Sequence, residues 1–309
     1  MILTVTLNPA LDKTVTLPGF AVNTVNRVQS ARLDPGGKGI NVSKTVRALG
    51  GQTLVLGVLG GAAGGYIKTT LDHMGLANDM VLTEEATRTN IKIVDPILQT
   101  STDINEAGGS VSQETLTSVW DKLTRAVRPG DTVVFAGKNP PGVADTQLAD
   151  WVRQLHALDV QICVDTVGQP MRLAVREQPA IIKPNLMELE EIVEHPLPTE
   201  AAILDAARSL SDQGVGLVAV SLGSDGALFV TQEEVIRGYS PKVPVVSTVG
   251  AGDSMMAALA YYQSLGCSLE ETARRALAVA SASVTCSGSQ PPSLERILPL
   301  IDHVHLQHL

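Results

Sequence analysis

The sequence predicts an α/β fold in which helices cover both faces of a mostly parallel central sheet. Short β-branched runs alternate with stretches of helical spacing, and Gly, Pro or Asn bounds most of the runs. The alternation extends over most of the 309 residues. Strands that are covered on both faces are expected to be continuously apolar, as these runs are. The predicted strands are residues 2–7, 53–58, 132–136, 161–165, 180–184 and 217–222.

Stretches with apolar residues at helical spacing connect these strands. Two of them begin with start signals, because Ser112 and Thr199 are each followed by an acidic residue within two positions. In a sheet of this kind, ligands bind beyond the carboxyl ends of the strands. The predicted helices are residues 41–49, 66–74, 112–127, 144–158, 199–213, 254–265 and 269–285.

Two stretches, residues 15–32 and 87–105, interrupt the alternation with strand-like sequence and little helical character. Their alternate positions are polar, which favours a half-exposed antiparallel sheet. We therefore expect one domain over residues 1–309, with lid segments at about 13–33 and 87–106. The alternative is that both stretches are excursions of the main sheet.

Composition limits the classes of function. The net charge of −9 and the 3% of aromatic residues argue against nucleic-acid binding and against aromatic stacking platforms. A small anionic ligand stays compatible, because a few local cations and backbone N–H groups can hold one. The three cysteines, Cys163, Cys267 and Cys286, are far apart and form no C-x-x-C motif. No stretch approaches the ~18 apolar residues of a membrane span, so we expect a cytoplasmic protein with no membrane partner.

The segment VSTVGAGDSMM, residues 246–256, carries the clearest chemical signal. A strand-like run leads into Gly250-Ala251-Gly252, and a helix follows. Small residues let the backbone approach a ligand, and a helix N-terminus presents free N–H groups that suit a phosphate. Asp253 is either an N-terminal helix residue favoured by the dipole or a base aimed at the same pocket.

Three further segments suit phosphate or metal chemistry. DPGGKGIN, residues 34–41, is neither G-x-G-x-x-G nor a Walker motif, and a plain turn explains its glycines but not Lys38 and Asn41. In IKPNLME, residues 182–188, Asn185 and Glu188 form either a capping box or a site for hydrated Mg²⁺. SLGSDG, residues 221–226, is a turn able to hold a nucleotide.

Together these segments identify a resemblance. The chain resembles the PfkB carbohydrate kinases of the ribokinase superfamily, in the branch of 1-phosphofructokinase and tagatose-6-phosphate kinase. The resemblance covers nearly the whole chain and implies a three-layer α/β/α fold with a small antiparallel β lid. Its motifs, in family order, are TLNPALD (6–12), GGKGIN (36–41), TRTN (87–90), KPNLME (183–188), SLGSDGA (221–227) and STVGAGDS (247–254).

The resemblance implies a role for each matching residue. Asp253 would be the base, and the N–H groups of Gly250, Ala251, Gly252 and Asp253 would stabilise the transferred phosphoryl group. Mg²⁺ would be held through water by Asn185 and Glu188. Asp12, Gly36, Gly37 and Asn41 would bind the sugar hydroxyls. Arg88 would hold the phosphate that the sugar carries, with Arg27 and Lys38 as secondary candidates. Asn90, Lys138 and Asp253 complete the residues implied on the substrate side. Those implied to bind ATP are Lys183, Asn185, Ser221, Gly223, Ser224, Gly226, Thr248 and Gly252. A monovalent cation such as K⁺ would bind carbonyls of Ser247, Val249, Ser283, Cys286 and Gly288.

The chain departs from the family pattern at two places on the acceptor side. Relatives usually read A-G-S-L-P-P-G where this chain has Lys138-Asn139 in place of Ser-Leu, and Gly108-Gly109 stands where Gly-Pro is common. Lys138 either replaces the hydroxyl as a point-charge phosphate ligand or points away from the pocket.

We therefore expect an ATP-dependent kinase of a ketohexose monophosphate, with fructose 1-phosphate as the favoured acceptor. Tagatose 6-phosphate and fructose 6-phosphate stay open as acceptors. A dinucleotide-dependent dehydrogenase would need a glycine fingerprint after the first strand, and residues 4–10 contain no glycine. A non-catalytic sugar-phosphate sensor should have lost Asp253 or Glu188. By analogy with relatives, a homodimer through the lid is expected.

Overall fold

The computed structural model describes all 309 residues and contains two sheets. The larger has ten strands in the order β14-β13-β12-β11-β10-β9-β8-β1-β4-β5. Its strands are β1 (Ile2–Thr6), β4 (Thr53–Gly60), β5 (Asn78–Thr83), β8 (Thr132–Ala136), β9 (Gln161–Asp165), β10 (Ile181–Ile182), β11 (Leu217–Ser221), β12 (Ala227–Val230), β13 (Val235–Tyr239) and β14 (His305–His308).

Every pairing from β11 to β5 is parallel, whereas β12, β13 and β14 add antiparallel strands at one edge. All six predicted strands are present, and the prediction of a mostly parallel sheet is confirmed. The helices are α1 (Lys38–Ala48), α2 (Gly61–His73), α3 (Gln113–Ala126), α4 (Gln147–Leu155), α5 (Gly168–Val175), α6 (Leu186–Val193), α7 (Glu200–Asp212), α8 (Ala251–Ser264), α9 (Leu269–Ser283) and α10 (Leu294–Ile301).

The core lies in two layers, one on each face of the large sheet. One cluster of 33 buried residues includes Leu123 of α3, Trp151 of α4 and Leu210 of α7. A second cluster of 28 residues includes Val46 of α1, Leu259 of α8 and Leu277 of α9. This is the expected three-layer α/β/α arrangement. No helix has the length and apolar character that crossing a membrane requires.

The second sheet has four strands in the order β3-β2-β6-β7. Its outer pairings, β2 (Ala10–Thr16) with β3 (Ser30–Gly36) and β6 (Arg88–Asp95) with β7 (Thr100–Ile104), are antiparallel, and the central pairing of β2 with β6 is parallel. The fold-class prediction of a separate small sheet is confirmed. We call this sheet the lid sheet.

Element boundaries differ from the predictions where glycine or tertiary contacts decide them. Helices α1 and α8 begin three residues earlier than predicted, because Gly37 and Gly250 have positive φ angles of 114° and 81° and cap them. The strand expected before Gly250 is wrong. The N–H groups of Val246 and Ser247 both donate to the carbonyl of Val284, so this segment pairs with a loop and not with a strand.

Candidate active site

The first turn of α8 presents free backbone donors. Gly250 adopts the left-handed conformation, and the first regular helical bond runs from the N–H of Ser254 to the carbonyl of Gly250 at 2.8 Å. The N–H groups of Gly252 and Asp253 donate to no protein acceptor. Two free donors at a helix N-terminus can stabilise an anion or developing negative charge.

Asp253 lies in the same turn, and its side chain is buried. Asn41 Nδ2 of α1 donates to Asp253 Oδ2 over 2.8 Å, a contact between residues that are 212 positions apart. Burial raises the pKa of Asp253, and the charge of Asp165 raises it further, against the opposing effects of Lys38, Asn41 and Lys183. A raised pKa makes the carboxylate a stronger base than a free aspartate.

An ion-pair cluster lies beside Asp253, with Asp165 and Lys183 buried and Lys38 about one-third exposed. Lys38 Nζ is 2.8 Å from Asp165 Oδ1, and Lys183 Nζ is 3.4 Å from Asp165 Oδ2. Burial raises the pKa of Asp165, but the two lysines outweigh burial and hold it below its usual range. Burial lowers the pKa of Lys38, but the charge of Asp165 outweighs burial, so the pKa of Lys38 lies above its usual value. Lys38 therefore stays charged beside Asp253.

Asp165 was not among the sequence-predicted site residues. It is the last residue of β9, at the carboxyl edge of the parallel sheet, where ligands bind. The sequence contained a signal for it, because a carboxylate at the end of a mostly apolar predicted strand indicates a residue at the ligand-binding edge. Lys183 also approaches the anion site, since a Cβ added at Gly252 would lie 3.2 Å from Lys183 Nζ.

Asn185 and Glu188 form the capping box of α6. Asn185 Oδ1 accepts from the N–H of Glu188, and Glu188 Oε2 accepts from the N–H of Asn185, both over 2.9 Å. Glu188 Oε1 is left free of hydrogen bonds and lies 3.9 Å from Lys38 Nζ. No group of three or more His, Cys, Asp or Glu side chains is placed to hold a metal ion. One free carboxylate oxygen fits the need of Mg²⁺, which takes one or two carboxylates plus substrate phosphates.

The turn after β11 comes next to this capping box, because Asn185 and Ser221 form an isolated parallel bridge. The turn closes through the N–H of Leu222, which donates to the carbonyl of Gly226 over 2.8 Å. Gly226 has a φ of 104°, and a Cβ there would lie 2.1 Å from the carbonyl oxygen of Gly238. Glycine is therefore required at this position. Gly223 and Ser224 occupy the turn, whereas Thr248 lies on the loop before α8.

The lid sheet brings polar side chains to a cavity of about 270 Å³. Asp12 of β2 lies opposite Asp34 of β3 and Asn90 of β6, and Asn90 Nδ2 donates to Asp12 Oδ1 over 3.0 Å. A Cβ at Gly36 would lie 2.0 Å from Asp12 Oδ2, so the glycine lets this carboxylate approach. Burial raises the pKa of Asp12. The Oδ1 atoms of Asn41 and Asn90 are buried without partners. These unpaired acceptors suit the hydroxyl groups of a sugar.

Arg88 lies at the start of β6 and holds two backbone segments. Its Nη1 donates to the carbonyl of Glu106 and its Nη2 to that of Asn8, each over 3.1 Å, whereas Nε is buried without a partner. Burial lowers the pKa of Arg88. The guanidinium thus combines a structural role with one unused donor.

Lys138 and Arg27 are less tightly placed. Lys138 lines a small cavity with Leu7 and Thr166 and makes no hydrogen bond or ion pair. Arg27 lies on the exposed loop between β2 and β3, outside the residues that line the sugar-sized cavity. The structure therefore does not bring Arg27 together with Asp12 and Asn90.

The proposed cation loops are adjacent, since the carbonyl of Val284 accepts from both Val246 and Ser247. The N–H of Cys286 donates to the carbonyl of Ser283, and the N–H of Val249 to Ser247 Oγ. Gly288, with a φ of 60°, packs so closely against Arg32 that a Cβ would lie 2.2 Å from Arg32 Nη2.

Comparison with known proteins agrees with this arrangement. The model of the pfkB family of carbohydrate kinases matches residues 5–296. The chain is 37% identical over 309 residues to a 1-phosphofructokinase of Rhodobacter capsulatus, covering 100% of this chain and 98% of the relative. It is 32% identical over 306 residues to a 1-phosphofructokinase of Escherichia coli K12, covering 97% and 96%.

Solved structures show the same fold. Phosphofructokinase-2 from Escherichia coli, in complex with substrates and products, superposes with a TM-score of 0.94 at 28% identity, covering 98% of each chain. Arabidopsis thaliana ribokinase, at 24% identity and a TM-score of 0.79 over 97% of this chain and 98% of that one, shares the fold. The family model covers nearly the whole chain and the relatives align from end to end, so the chain belongs to the pfkB family of carbohydrate kinases.

Proposed function

We propose that the protein transfers the γ-phosphoryl group of ATP to the 6-hydroxyl of fructose 1-phosphate, giving fructose 1,6-bisphosphate and ADP. The observation that carries the proposal is the pairing of a buried carboxylate of raised pKa, Asp253, with two free N–H donors in the same helical turn. The choice of acceptor is supported by relatives named 1-phosphofructokinase, which are 37% to 30% identical to this chain.

In the proposed reaction, Asp253 takes the proton from the acceptor hydroxyl while that oxygen bonds to the γ-phosphorus. The bond from the γ-phosphorus to the β,γ-bridging oxygen breaks, and ADP leaves with that oxygen. The N–H groups of Gly252 and Asp253 stabilise negative charge on the transferred group, with that of Gly250 next to them. The N–H of Ala251 already donates to the carbonyl of Thr248 over 3.3 Å. Most of the rate enhancement then comes from positioning and charge stabilisation.

Lys38 and Lys183 are proposed to supply positive charge next to the transferred group, and Asp165 keeps both ammonium groups in place. Glu188 and Asn185 would hold Mg²⁺ through water, and the ion would neutralise charge on the nucleotide phosphates. Ser221, Gly223, Ser224 and Gly226 would bind the nucleotide through their turn, with Thr248 alongside.

On the acceptor side, Asp12, Asn41 and Asn90 would bind sugar hydroxyls, with Gly36 and Gly37 allowing close approach. The unused Nε donor of Arg88 supports a role in binding the phosphate that the sugar already carries. Lys138, which has no partner in the protein, would provide a second charge in place of the family's serine.

The proposal also covers the oligomeric state, a potassium site and the cellular location. A homodimer through the lid sheet is supported by exposed apolar residues on it, since Leu33 is 37% and Ile104 is 52% exposed. A solved relative is named as a tetrameric inhibited form of phosphofructokinase-2, so oligomers occur in the family.

Potassium binding at the loops around Ser247 and Gly288 is supported by a relative solved in complex with potassium. A cytoplasmic location is supported by the three free cysteines.

Fructose 6-phosphate is the second candidate acceptor. The phosphofructokinase-2 fold neighbour was solved in complex with fructose-6-phosphate, at 27% identity. The replacement of the family's Ser-Leu by Lys138-Asn139 falls on the acceptor side of the site. Contacts to the phosphate of the acceptor would therefore decide between fructose 1-phosphate and fructose 6-phosphate.

The proposal is tested by ADP release, coupled to a dehydrogenase, with fructose 1-phosphate, fructose 6-phosphate, tagatose 6-phosphate and unphosphorylated fructose. We expect the highest kcat/KM with fructose 1-phosphate and negligible turnover with fructose. A higher kcat/KM with either 6-phosphate would replace the proposed acceptor. ADP release that is equally fast with and without an acceptor would contradict phosphoryl transfer to these sugars. Omission of Mg²⁺ and exchange of K⁺ for Na⁺ test the two cations in the same assay.

A further inference from the structure

Lys44, in the second turn of α1, is a buried cation that the reaction described above does not use. Its side chain is only 5% exposed, and buried lysines are rare unless they are paired. Its Nζ donates three hydrogen bonds, to the carbonyl of Pro35 at 3.0 Å, the carbonyl of Ser289 at 3.0 Å and Ser289 Oγ at 3.2 Å. An ammonium group has three N–H donors, so all of them are satisfied.

The acceptors of Lys44 belong to two different parts of the site. Pro35 immediately precedes Gly36, whose lack of a side chain makes room for Asp12. Ser289 packs against Gly250, the residue that caps α8, since a Cβ at Gly250 would lie 3.5 Å from Ser289 Cα. Lys44 also lies one helical turn after Asn41, which holds Asp253. One ammonium group therefore joins the sugar side of the site to the segment that packs against the anion site.

Charged groups on three neighbouring elements affect the protonation of Lys44. Asp12 of β2, Asp34 of β3 and Asp253 of α8 favour its charged form, whereas Arg32 of β3 opposes it. Burial outweighs the three carboxylates and lowers the pKa of Lys44 to about 8. No carboxylate is close enough to form an ion pair with it, so backbone carbonyls and one hydroxyl hold the ammonium directly.

We propose that Lys44 is a positioning residue for phosphoryl transfer: its ammonium group fixes the sugar-binding turn at residues 35–37 against the Ser289 loop and so sets the distance from the acceptor hydroxyl to the anion site. The inference rests on the proposed kinase function but not on the identity of the acceptor. Loss of the ammonium would leave each segment folded on its own side and free to separate. Misplacement of reacting groups by about 1 Å can reduce the rate by about 10²-fold.

The test compares Lys44→Met with Val46→Ala, a variant of a fully buried residue on the same helix that lies outside the site. We expect Lys44→Met to reduce kcat by about 10- to 100-fold and raise the KM of the sugar phosphate, with the KM of ATP unchanged. Val46→Ala should lower the melting temperature without changing kcat. Unchanged kcat and sugar-phosphate KM in folded Lys44→Met, or an equal loss of kcat in Val46→Ala, would overturn the proposal.

Two further variants keep the test decisive if Lys44→Met does not fold. Ser289→Ala removes a single acceptor and should reduce kcat by about two- to tenfold, in line with the loss of one hydrogen bond; no reduction would contradict the tether. Lys44→Arg keeps the charge at all accessible pH values. The wild-type kcat should fall as the pH rises through about 8, where Lys44 loses its proton, and this fall should be absent in Lys44→Arg. An identical alkaline fall in both proteins would also contradict the proposal.

These outcomes are separate from those of the acceptor panel. A wild-type protein that does not phosphorylate fructose 1-phosphate disproves the proposed acceptor, and the Lys44 variants are then measured with whichever sugar phosphate the panel identifies. Full activity of Lys44→Met with that acceptor would disprove the tether alone.

Discussion

The transfer side and the acceptor side of the site are built differently. On the transfer side, Asp165 forms ion pairs with Lys38 and Lys183 beside Asp253, although its Oδ2 accepts no hydrogen bond. On the acceptor side, polar atoms are buried without partners, among them Asn90 Oδ1 and Arg88 Nε. A buried polar atom without a partner is costly unless a ligand or water satisfies it. Under the proposed function, the charged groups of the transfer side would be in place before the sugar binds, whereas the ligand would complete the acceptor pocket.

The largest expected effect comes from the proposed base, Asp253. We expect Asp253→Asn to reduce kcat by about 10²- to 10⁴-fold, the range of general-base contributions, because an amide cannot take the hydroxyl proton. ATP affinity, measured by calorimetry, should be kept. The control is Asp131→Asn, a largely buried carboxylate that pairs with the N-terminal amine far from the site, and it should keep kcat. Near-normal turnover in Asp253→Asn would remove the base assignment.

The next effect concerns stability on the transfer side. Asp165→Asn leaves Lys38 and Lys183 without their carboxylate, and breaking a buried pair costs about 3–5 kcal/mol of unfolding free energy. We expect the lower end of that range, because Lys38 is 34% exposed and solvent screens its charge. Urea unfolding measures the loss, and Asp150→Asn, which breaks an exposed pair with Arg153, should cost about 0–1 kcal/mol.

The pH dependence of that loss has a definite sign. The pKa of Asp165 is lower in the folded protein than in the unfolded chain, so its contribution is fully present above the ordinary value of 3.8. The contribution is lost as the pH falls through the depressed folded pKa. The stability difference between wild type and Asp165→Asn should therefore be constant near neutrality and shrink in acid. A difference that grows on acidification would contradict the ion-pair account.

On the acceptor side, Arg88→Ala should raise the KM of the sugar phosphate by about 10- to 100-fold, as expected for one or two charge-assisted hydrogen bonds. The KM of ATP should not change. The matched control is Arg47→Ala, which removes an exposed arginine from α1. A change confined to the KM of ATP would show that Arg88 acts on the nucleotide and not on the sugar phosphate. A protein that loses its fold would show that the main role of Arg88 is structural, through its bonds to Asn8 and Glu106.

The smallest expected effect tests selectivity. Lys138→Ser restores the family's usual residue and should raise the KM for fructose 1-phosphate by about two- to tenfold, the loss of one point charge in a hydrated site. The ratio of kcat/KM between fructose 1-phosphate and fructose 6-phosphate measures the effect. Lys68→Ser, on the exposed face of α2, is the control. An unchanged KM and ratio would show that Lys138 points away from the sugar phosphate.

Much of the fold could be predicted because its signals are local. Buried parallel strands are continuous apolar runs, and all six predicted ones are present. Strands β12, β13 and β14 were not predicted, because their pairing at the sheet edge depends on tertiary contacts. The strand expected at residues 246–249 failed for the same reason, since β-branched residues there bond to the loop at Val284. β-propensity describes how a residue fits its neighbours more than a preference of its own.

The predictability of the site residues also depends on whether their contacts are local in the chain. Motifs that bring residues together within one turn, such as Asn185 with Glu188, could be found from spacing, and both the capping-box and metal interpretations remain compatible with their contacts. Asp165 and Lys44 could not be found from such spacing, because their partners lie far away in the chain. The only local signal for Asp165 was its position at the end of a predicted strand. Arg27 shows the converse, since the family resemblance implied a role for it and the fold does not bring it to the cavity.

The hydrogen bond from Asn41 to Asp253 also bears on how the protein becomes active. It joins residues 212 positions apart, so the proposed base is positioned only when the first and last thirds of the chain have come together. Pairings over such separations form slowly, because the loop-closure entropy is lost before the contact stabilises anything. Recovery of kinase activity after dilution from denaturant should therefore lag behind the recovery of helical signal. A chain cut within α8 would be inactive however well its earlier strands fold, which makes turnover a measure of complete assembly.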